Sequence, residues 1–214
     1  MLDVGSGTGS LAHEIAARKT HARVLGIDPS QEYVAYAVSK NAFPERVGFE
    51  VGDARQLHFP DASCDAALAL LVFNFIPDPK KALLELRRIV KPGGRISAAV
   101  WDYGAGMRML DEKHMPLCRS GELPALWRQG GLEYVSEQSI DISMSFGSFA
   151  DYWDPFLLRQ GPAGAYVARL DRDRLQALRN EVKRRLSLPA ENTRFVLPAR
   201  VWAVRGTVPN RRQP

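Results

Sequence analysis

Short apolar runs alternate with stretches of helical periodicity through the first half of the chain. In the helical stretches the apolar residues recur every three or four positions, which is the spacing of one helix face. The alternation is typical of βαβ units around a parallel sheet, so we expect a doubly wound α/β fold. The predicted strands are Leu2–Val4, Arg23–Ile27, Phe49–Val51, Asp65–Leu71 and Arg95–Trp101, and the predicted helices between them are Gly9–Lys19, Ser30–Asn41 and Asp78–Val90.

The helix predicted over 78–90 has clear signals at both ends. Asp78 can cap its first turn, and Pro79 suits the first helical position. Pro92-Gly93-Gly94 then predicts a turn that leads into the next strand;. The apolar residues of the helix fall on one face: Ala82, Leu83, Leu86, Ile89 and Val90;.

The second half of the chain, after Tyr103, is less regular. Its pattern predicts a short helix, an alternating strand, an aromatic-rich helix, a charged helix and a last strand. These elements cover, in order, 122–129, 133–143, a stretch containing Phe149, Tyr152, Trp153 and Phe156, then 171–187 and 194–204.

Composition and charge narrow the functional classes. The chain has 214 residues, of which 45% are hydrophobic and 25% charged, as in an ordinary globular protein;. Its apolar runs are far shorter than the ~20 residues of a membrane-spanning helix, and no secretory signal opens the chain, so we expect a cytoplasmic protein. Two cysteines, Cys64 and Cys118, argue against a disulfide framework;. The net charge of +5 is spread along the chain, which argues against a nucleic-acid partner;.

The most informative motif is a glycine-rich turn, Leu2-Asp3-Val4-Gly5-Ser6-Gly7-Thr8-Gly9, between a predicted strand and a predicted helix. In a doubly wound sheet such a turn binds nucleotides, because glycine permits positive φ and close approach of a ligand. Asp28 ends the next strand about 20 residues later, the spacing at which a carboxylate binds ribose hydroxyls. Ser10 stands where a dinucleotide fingerprint has its third glycine. The motif therefore predicts an adenosyl ligand without a pyrophosphate.

The ordered segments LDVGSGTG, GIDPS, GDARQLHFPDASCD and RIVKPGGRI resemble those of class I methyltransferases that use S-adenosylmethionine (SAM). The chain is most similar to the type 11 branch, related to the ubiquinone and menaquinone biosynthesis methyltransferases, over residues 1–101. The later segments PLCRSGELPALWRQGGL, FADYWDPFL and ARVWAVRG resemble those of bacterial members. The resemblance implies a mostly parallel seven-stranded sheet with the last strand antiparallel. It also implies a single methyltransferase domain over 1–214, with a SAM-binding half (1–103) and a substrate-side half (104–214).

Carried over position by position, the resemblance implies a SAM site in the first half of the chain. Asp3 and the backbone of Gly5 to Gly9 would surround the methionine part, and Asp28 would bind the ribose hydroxyls. An alternative for Asp28-Pro29-Ser30 is a simple helix-capping turn.

The resemblance also implies an adenine site at Asp53 and Ala54, where the carboxylate accepts a hydrogen bond from the adenine amino group. Leu70 would pass the cofactor at the end of the fourth strand, and Leu71 would pack nearby. Asp53 could instead be an ordinary loop carboxylate, and Leu70 a core residue. The implied cofactor-binding set is Asp3, Gly5, Ser6, Gly7, Gly9, Asp28, Pro29, Asp53, Ala54 and Leu70, with no metal ligand.

Catalysis makes modest demands on side chains, because the sulfonium already activates the methyl group and much of the rest is alignment and exclusion of water. A general base is needed only where the acceptor must lose a proton. Its candidates follow the predicted fifth strand: Asp102, Tyr103 and His114. The aromatic residues Trp101, Tyr152, Trp153 and Phe156 are interpreted either as the lining of an apolar substrate pocket or as core.

The leading functional hypothesis is methyl transfer from SAM to a small molecule. An RNA or DNA methyltransferase is a second hypothesis, against which Leu70-Leu71-Val72-Phe73-Asn74 stands where base-modifying relatives have Asn/Asp-Pro-Pro-aromatic. The glycine spacing argues against an NAD-dependent oxidoreductase. The sequence leaves the acceptor and the oligomeric state open.

Members of the resembled family have several tens of residues before the glycine loop, whereas here only Met1 to Val4 precede it. We therefore expect an amino-terminal truncation, through a misplaced start or a fragment. The alternative function that follows is an inactive methyltransferase-like fragment or an interaction module with exposed apolar surface.

Overall fold

The computed structural model describes residues 1–103, 115–157, 164 and 166–210. Its strands are β1 (Leu2–Val4), β2 (Val24–Asp28), β3 (Val47–Val51), β4 (Cys64–Leu70), β5 (Val90–Trp101), β6 (Glu133–Phe146) and β7 (Phe195–Thr207). Its helices with described bounds are α1 (Ser10–Arg18), α2 (Gln31–Ser39), α3 (Pro79–Ile89), α4 (Glu122–Gln129), α5 (Phe149–Leu157) and α6 (Arg172–Arg185), with a 3₁₀ turn at Phe73–Phe75. Among these helices, none has the length and apolar composition that crossing a bilayer requires.

The strands form one sheet in the order β3-β2-β1-β4-β5-β7-β6. Neighbours from β3 to β5 are parallel, whereas β7 is antiparallel to both β5 and β6. This confirms the predicted doubly wound, mostly parallel sheet with an antiparallel last strand. Because β7 lies between β5 and β6, strands from both halves of the chain share one sheet. The carboxyl ends of β1, β2, β4 and β5 meet at one edge, where ligands bind in folds of this kind.

Helices cover both faces of the sheet. On one face, α1 buries Ala12 and Ala16 against Val24 and Val47. On the other face, α3 and α4 pack over β1, β2, β4 and β5, and this cluster is the main core. Its buried members include Leu2, Val4, Ile27, Ala67, Leu83, Leu86, Ile96, Leu123 and Trp127.

The α3 helix begins where its sequence signals predict. Asp78 caps it by accepting a 2.9 Å hydrogen bond from the Lys81 N–H, and Pro79 occupies the first position. The buried face is the predicted one except that Val90 already belongs to β5. The segment predicted as a turn, Pro92-Gly93-Gly94, lies within β5, where the register against β4 shifts between Cys64 and Ala66. Between these two pairings β5 advances five residues (Val90 to Arg95) while β4 advances two, so the three extra residues form an irregularity of the strand rather than a separate turn;.

The aromatic residues of α5 form a separate cluster with α6 and with the ends of β6 and β7. Tyr152 and Trp153 are buried there, and the Phe149 and Trp153 rings stack with centroids 6.0 Å apart. The structure thus decides between the two interpretations of these residues: Tyr152 and Trp153 are core. Phe156 packs at the margin of the same cluster, and Trp101 is half-buried at the end of β5.

Candidate functional site

The glycine loop lies between β1 and α1, at the carboxyl edge of the sheet. Gly5, Gly7 and Gly9 have φ angles of 65°, 52° and 87°, which are left-handed values that favour glycine;. A Cβ on Gly5 would lie 2.3 Å from Cγ2 of Val72, so Gly5 also permits close packing. A Cβ on Gly7 would meet none of the described residues within 4 Å, so the loop is open on that side with respect to this part of the chain. The predicted strand–turn–helix context of the motif is therefore present.

Asp28 ends β2 and joins the glycine loop to α2. Its Oδ2 accepts a 2.9 Å hydrogen bond from the Gly7 N–H, and its Oδ1 accepts one of the same length from the Ser30 N–H. Ser30, not Asp28, caps α2, with its Oγ accepting from the Tyr33 N–H. The segment therefore forms the helix-capping turn, and the bond from Gly7 additionally ties Asp28 to the glycine loop. Pro29 between them is exposed.

Asp3 is a carboxyl group inside the sheet. It is 1% exposed, and its Oδ2 has no hydrogen-bond partner within the described residues. Burial raises its pKa to about 7 against a lowering by the backbone N–H of Ala12, and the negative charge of Asp28 adds a smaller increase;. The nearby Ser6 hydroxyl is also buried without a partner in this part of the chain. Buried polar groups are normally paired, so these two oxygens indicate a place for polar groups of a ligand.

The loop after β3 begins beside the end of β2 and carries Asp53. The Gly52 N–H donates to the Asp28 carbonyl oxygen at 3.1 Å, and Asp53 is the next residue. Ala54 is buried in the main core, whereas the Asp53 carboxylate is exposed and hydrogen-bonded by Arg55. Sequence reasoning missed Arg55, whose position two residues after Asp53 in the Gly-Asp-Ala-Arg segment was the available signal.

The end of β4 carries backbone strain. Leu70 is 43% exposed although it lies in a central strand, and Leu71 has φ 59°, a left-handed value that is unusual for leucine;. The Leu71 N–H donates to the Ala99 carbonyl at 2.8 Å, which holds the bend against β5. Val72 then packs on Gly5. Strain of this kind is concentrated at functional sites.

Asn74 lies in the 3₁₀ turn that follows. In the sequence it stands out only as the end of the segment that departs from the Asn/Asp-Pro-Pro-aromatic motif of base-modifying methyltransferases. It is 5% exposed, and its side-chain nitrogen has no partner in the described part of the chain. Its neighbour Phe73 is fully buried, with its ring centroid 4.9 Å from that of Trp127. No sequence signal distinguished this buried amide from an exposed loop residue.

The candidates for a general base lie at or beyond the end of β5. Asp102 and Tyr103 are each 5% exposed, and the Asp102 N–H donates to the Arg200 carbonyl oxygen at 2.8 Å. Burial raises the pKa of Tyr103 to about 12. Tyr103 is therefore poorly suited to act as a base near neutral pH. His114 lies outside the described residues.

Residues 2–98 match a protein-family model described as "Methyltransferase domain". A curated relative, the demethylmenaquinone methyltransferase of Deinococcus radiodurans, is 35% identical over 97 residues. That alignment covers 45% of this chain and 40% of the relative, so the matched segment spans less than half of the relative's length. These matches confirm the resemblance to type 11 methyltransferases.

Two solved structures extend the similarity of fold across the chain. One is the putative methyltransferase in complex with the Trm112 activator of Haloferax volcanii, which has a TM-score of 0.63 and 24% identity and covers 100% of this chain and 83% of that one. The other is phosphoethanolamine N-methyltransferase 2 of Haemonchus contortus in complex with SAM, with a TM-score of 0.61 and 20% identity over 98% of this chain and 48% of that one. At these identities the similarity concerns the fold.

Proposed function

We propose that the chain, whose residues 2–98 match the methyltransferase-domain model, belongs to that family and uses SAM to methylate a small molecule. The observation that carries the proposal is the pair of buried, unpartnered oxygens, Asp3 Oδ2 and Ser6 Oγ, at the carboxyl edge of the sheet. They lie beside a glycine loop that is open at Gly7. Both observations concern residues that the sequence motif singles out.

The residues present fit SAM. Asp3 offers an acidic group for the cationic methionine part, and the backbone from Gly5 to Gly9 can approach a ligand closely because Cβ atoms are missing at three positions;. The Asp28 carboxylate, which the Gly7 and Ser30 N–H groups hold in place, is suited to the two ribose hydroxyls;. Asp53 and Ala54 would contact the adenine, while Pro29 and Leu70 would pack beside the cofactor.

When bound, SAM supplies a methyl group on a sulfonium, which a nucleophile can take in one displacement. The chain's own part is to hold the two reactants in line and to exclude water. The strained bend at Leu71, held by Ala99, fixes the end of β4 where such alignment is needed. Because Tyr103 keeps its proton near neutral pH, a base, where the acceptor requires one, would be Asp102 or His114.

Two observations support a small-molecule acceptor. The curated relative from Deinococcus radiodurans is named for methylation of demethylmenaquinone, a small molecule. In α6, the most basic helix of the described residues, several cations are already paired with carboxylates, as in Arg179 with Glu191 and Arg184 with Glu181. These pairs reduce the positive charge that α6 presents, and the reduction favours a small-molecule acceptor over a nucleic acid;.

We also propose that residues 1–214 act as one methyltransferase domain, because β7 pairs with β5 of the SAM-binding half and with β6 of the substrate-side half.

A cytoplasmic location is supported by the two cysteines, Cys64 and Cys118, which are both free thiols;.

The test is calorimetric titration of the purified chain with SAM and with S-adenosylhomocysteine, followed by transfer of a radiolabelled methyl group to a demethylated naphthoquinol. We expect saturable binding of both ligands and label in the organic extract. A folded chain that binds neither ligand would contradict the cofactor assignment and would favour the interaction-module alternative. Binding with label transferred to bulk RNA but not to the quinol would contradict the small-molecule acceptor.

A further inference from the structure

The loop that follows β3 has a rigid backbone. Ala54 and Leu57 are buried in the main core, and the Gln56 N–H donates to the Asp53 carbonyl oxygen at 3.0 Å. From α3, Glu85 accepts a 2.8 Å hydrogen bond from the Leu57 N–H. These contacts fix the loop to the core without any contribution from the side chain of Arg55.

Within the described residues, Arg55 holds the Asp53 carboxylate through hydrogen bonds to both of its oxygens. Arg55 Nη2 donates to Oδ2 at 2.7 Å, and Arg55 Nε donates to Oδ1 and Oδ2 at 3.0 and 3.1 Å. The Arg55 backbone N–H donates to Oδ1 at 2.9 Å. A guanidinium fork of this kind fixes the plane of a carboxylate, which a single hydrogen bond cannot do.

The exposure of this pair argues against a purely structural purpose. The side chains of Arg55 and Asp53 are 38% and 45% exposed, and exposed ion pairs stabilise proteins little;. Arg55 holds the pKa of Asp53 below its usual range, so the group stays an acceptor through the neutral range. An oriented, ionised and accessible carboxylate in the loop that follows β3 is suited to bind a ligand donor.

We propose that Arg55 is a positioning residue that orients the Asp53 carboxylate toward the amino group of adenine and thereby sets the selectivity of the site for adenosyl ligands. The inference rests on the proposed function, since it assumes that SAM binds with its adenine at Asp53. Arg55 touches neither the methyl group nor the acceptor. Its effect is confined to the choice of purine.

The experiment compares two ligands that differ only at the purine: S-adenosylhomocysteine and S-inosylhomocysteine, titrated by calorimetry. Inosine has an oxo group where adenine has its amino group, so a carboxylate that accepts from adenine faces a second acceptor instead. We expect the wild type to prefer the adenosyl ligand by roughly 10- to 100-fold, the ratio typical of a hydrogen bond to a charged group. Arg55→Ala should reduce this ratio to within about threefold of unity.

A conservative variant, a control variant and a double variant test whether Arg55 acts by orienting the Asp53 carboxylate. Arg55→Lys should have an intermediate ratio, because lysine keeps the charge but cannot hold both oxygens in a fork. Arg185→Ala is the matched control: Arg185 is exposed and its Nε donates to Glu181 at 2.8 Å, in α6. It should leave the ratio unchanged. In an Asp53→Ala background, Arg55→Ala should have no additional effect on the ratio.

The outcomes are distinguishable. Equal weakening of both ligands by Arg55→Ala, or an unchanged ratio, would overturn the inference and leave the proposed function standing. A wild type that binds both ligands equally would overturn it as well, by excluding a selective contact at Asp53. A folded wild type that binds neither ligand would overturn the proposed function, and this inference with it.

Discussion

The backbone N–H of Gly7 and the Oδ2 atom of Asp28 are joined by a hydrogen bond of 2.9 Å. The bond connects the loop after β1 to the end of β2, two segments that lie 21 positions apart in sequence. Because Oδ1 of the same carboxylate accepts from the Ser30 N–H, one side chain fixes the glycine loop and the start of α2 together. Asp28, which we propose binds the ribose hydroxyls, therefore also holds the glycine loop in place.

Replacing Asp28 should therefore weaken SAM binding through two effects. Asp28→Ala removes the acceptors of the Gly7 and Ser30 N–H groups as well as those of the ribose, and we expect affinity to fall roughly 10- to 100-fold or more. Asp28→Asn retains one acceptor oxygen and should bind with intermediate affinity. Calorimetric titration with S-adenosylhomocysteine measures both. Equal affinity of the wild type and Asp28→Ala would contradict the assignment.

Gly5 and Gly7 should respond differently to the same substitution. Gly5→Ala places a Cβ against Val72 at a positive φ, so overpacking adds to backbone strain and the free energy of unfolding should fall by about 2–5 kcal/mol;. Gly7→Ala meets no neighbour among the described residues and should cost only the strain, about 1–2 kcal/mol;. Urea denaturation measures both values.

A second-site variant tests the cause at Gly5. If Val72 is the obstacle, Val72→Ala should restore part of the stability lost in Gly5→Ala, although it destabilises the wild type. Additive losses in the double variant would mean that the contact with Val72 is not the source of the cost.

The fold was largely predictable from local signals. Asp78 and Pro79 specify the start of α3, and its apolar residues specify the buried face, because both depend on neighbouring positions along the chain;. The bulge that absorbs Gly93 and Gly94 into β5 was not predictable. It depends on pairing with β4 and β7, and in sequence the same glycines indicate a turn.

The candidate site was predictable only where glycines and carboxylates follow a known spacing. Asp3, Asp28 and the glycine loop meet at one edge because parallel strands end there;. The burial of Asn74 depends on how the segment after β4 packs, which no periodicity records, whereas Arg55 and Asp53 are two positions apart and that spacing was a local signal. Tyr152 and Trp153 illustrate the same limit, because an aromatic pattern does not distinguish a pocket from a core.

Tyr103 should remain protonated far above neutral pH. Its pKa is raised to about 12 mainly by burial, so the ionised form is disfavoured in the folded state;. Absorbance at the wavelength of tyrosinate, recorded for the wild type minus Tyr103→Phe, should show no titration below about pH 11. A transition of Tyr103 at or below the ordinary tyrosine value would restore it as a candidate base.

Asp3 should make the protein less stable as the pH rises. Its pKa is raised from 3.8 to about 7 in the folded state, so the folded chain retains a proton that the unfolded chain has lost. The stability is therefore complete below the unfolded value, falls between about pH 4 and pH 7, and reaches its low plateau above the folded value. The loss is at most roughly 4 kcal/mol, from about three pKa units.

Asp3→Asn isolates this effect, because the amide keeps the shape of the side chain and does not ionise. Urea denaturation at pH 5, 6, 7 and 8 should show the variant gaining stability relative to the wild type from pH 5 to pH 7, with little further change at pH 8;. Bound SAM should reverse the trend: its cationic methionine part beside Asp3 stabilises the carboxylate, so binding should release a proton near pH 6. Calorimetry in buffers of different ionisation enthalpy detects that proton. A stability difference that does not change with pH would show that Asp3 is already ionised in the folded chain. Binding of SAM would then release no proton from Asp3.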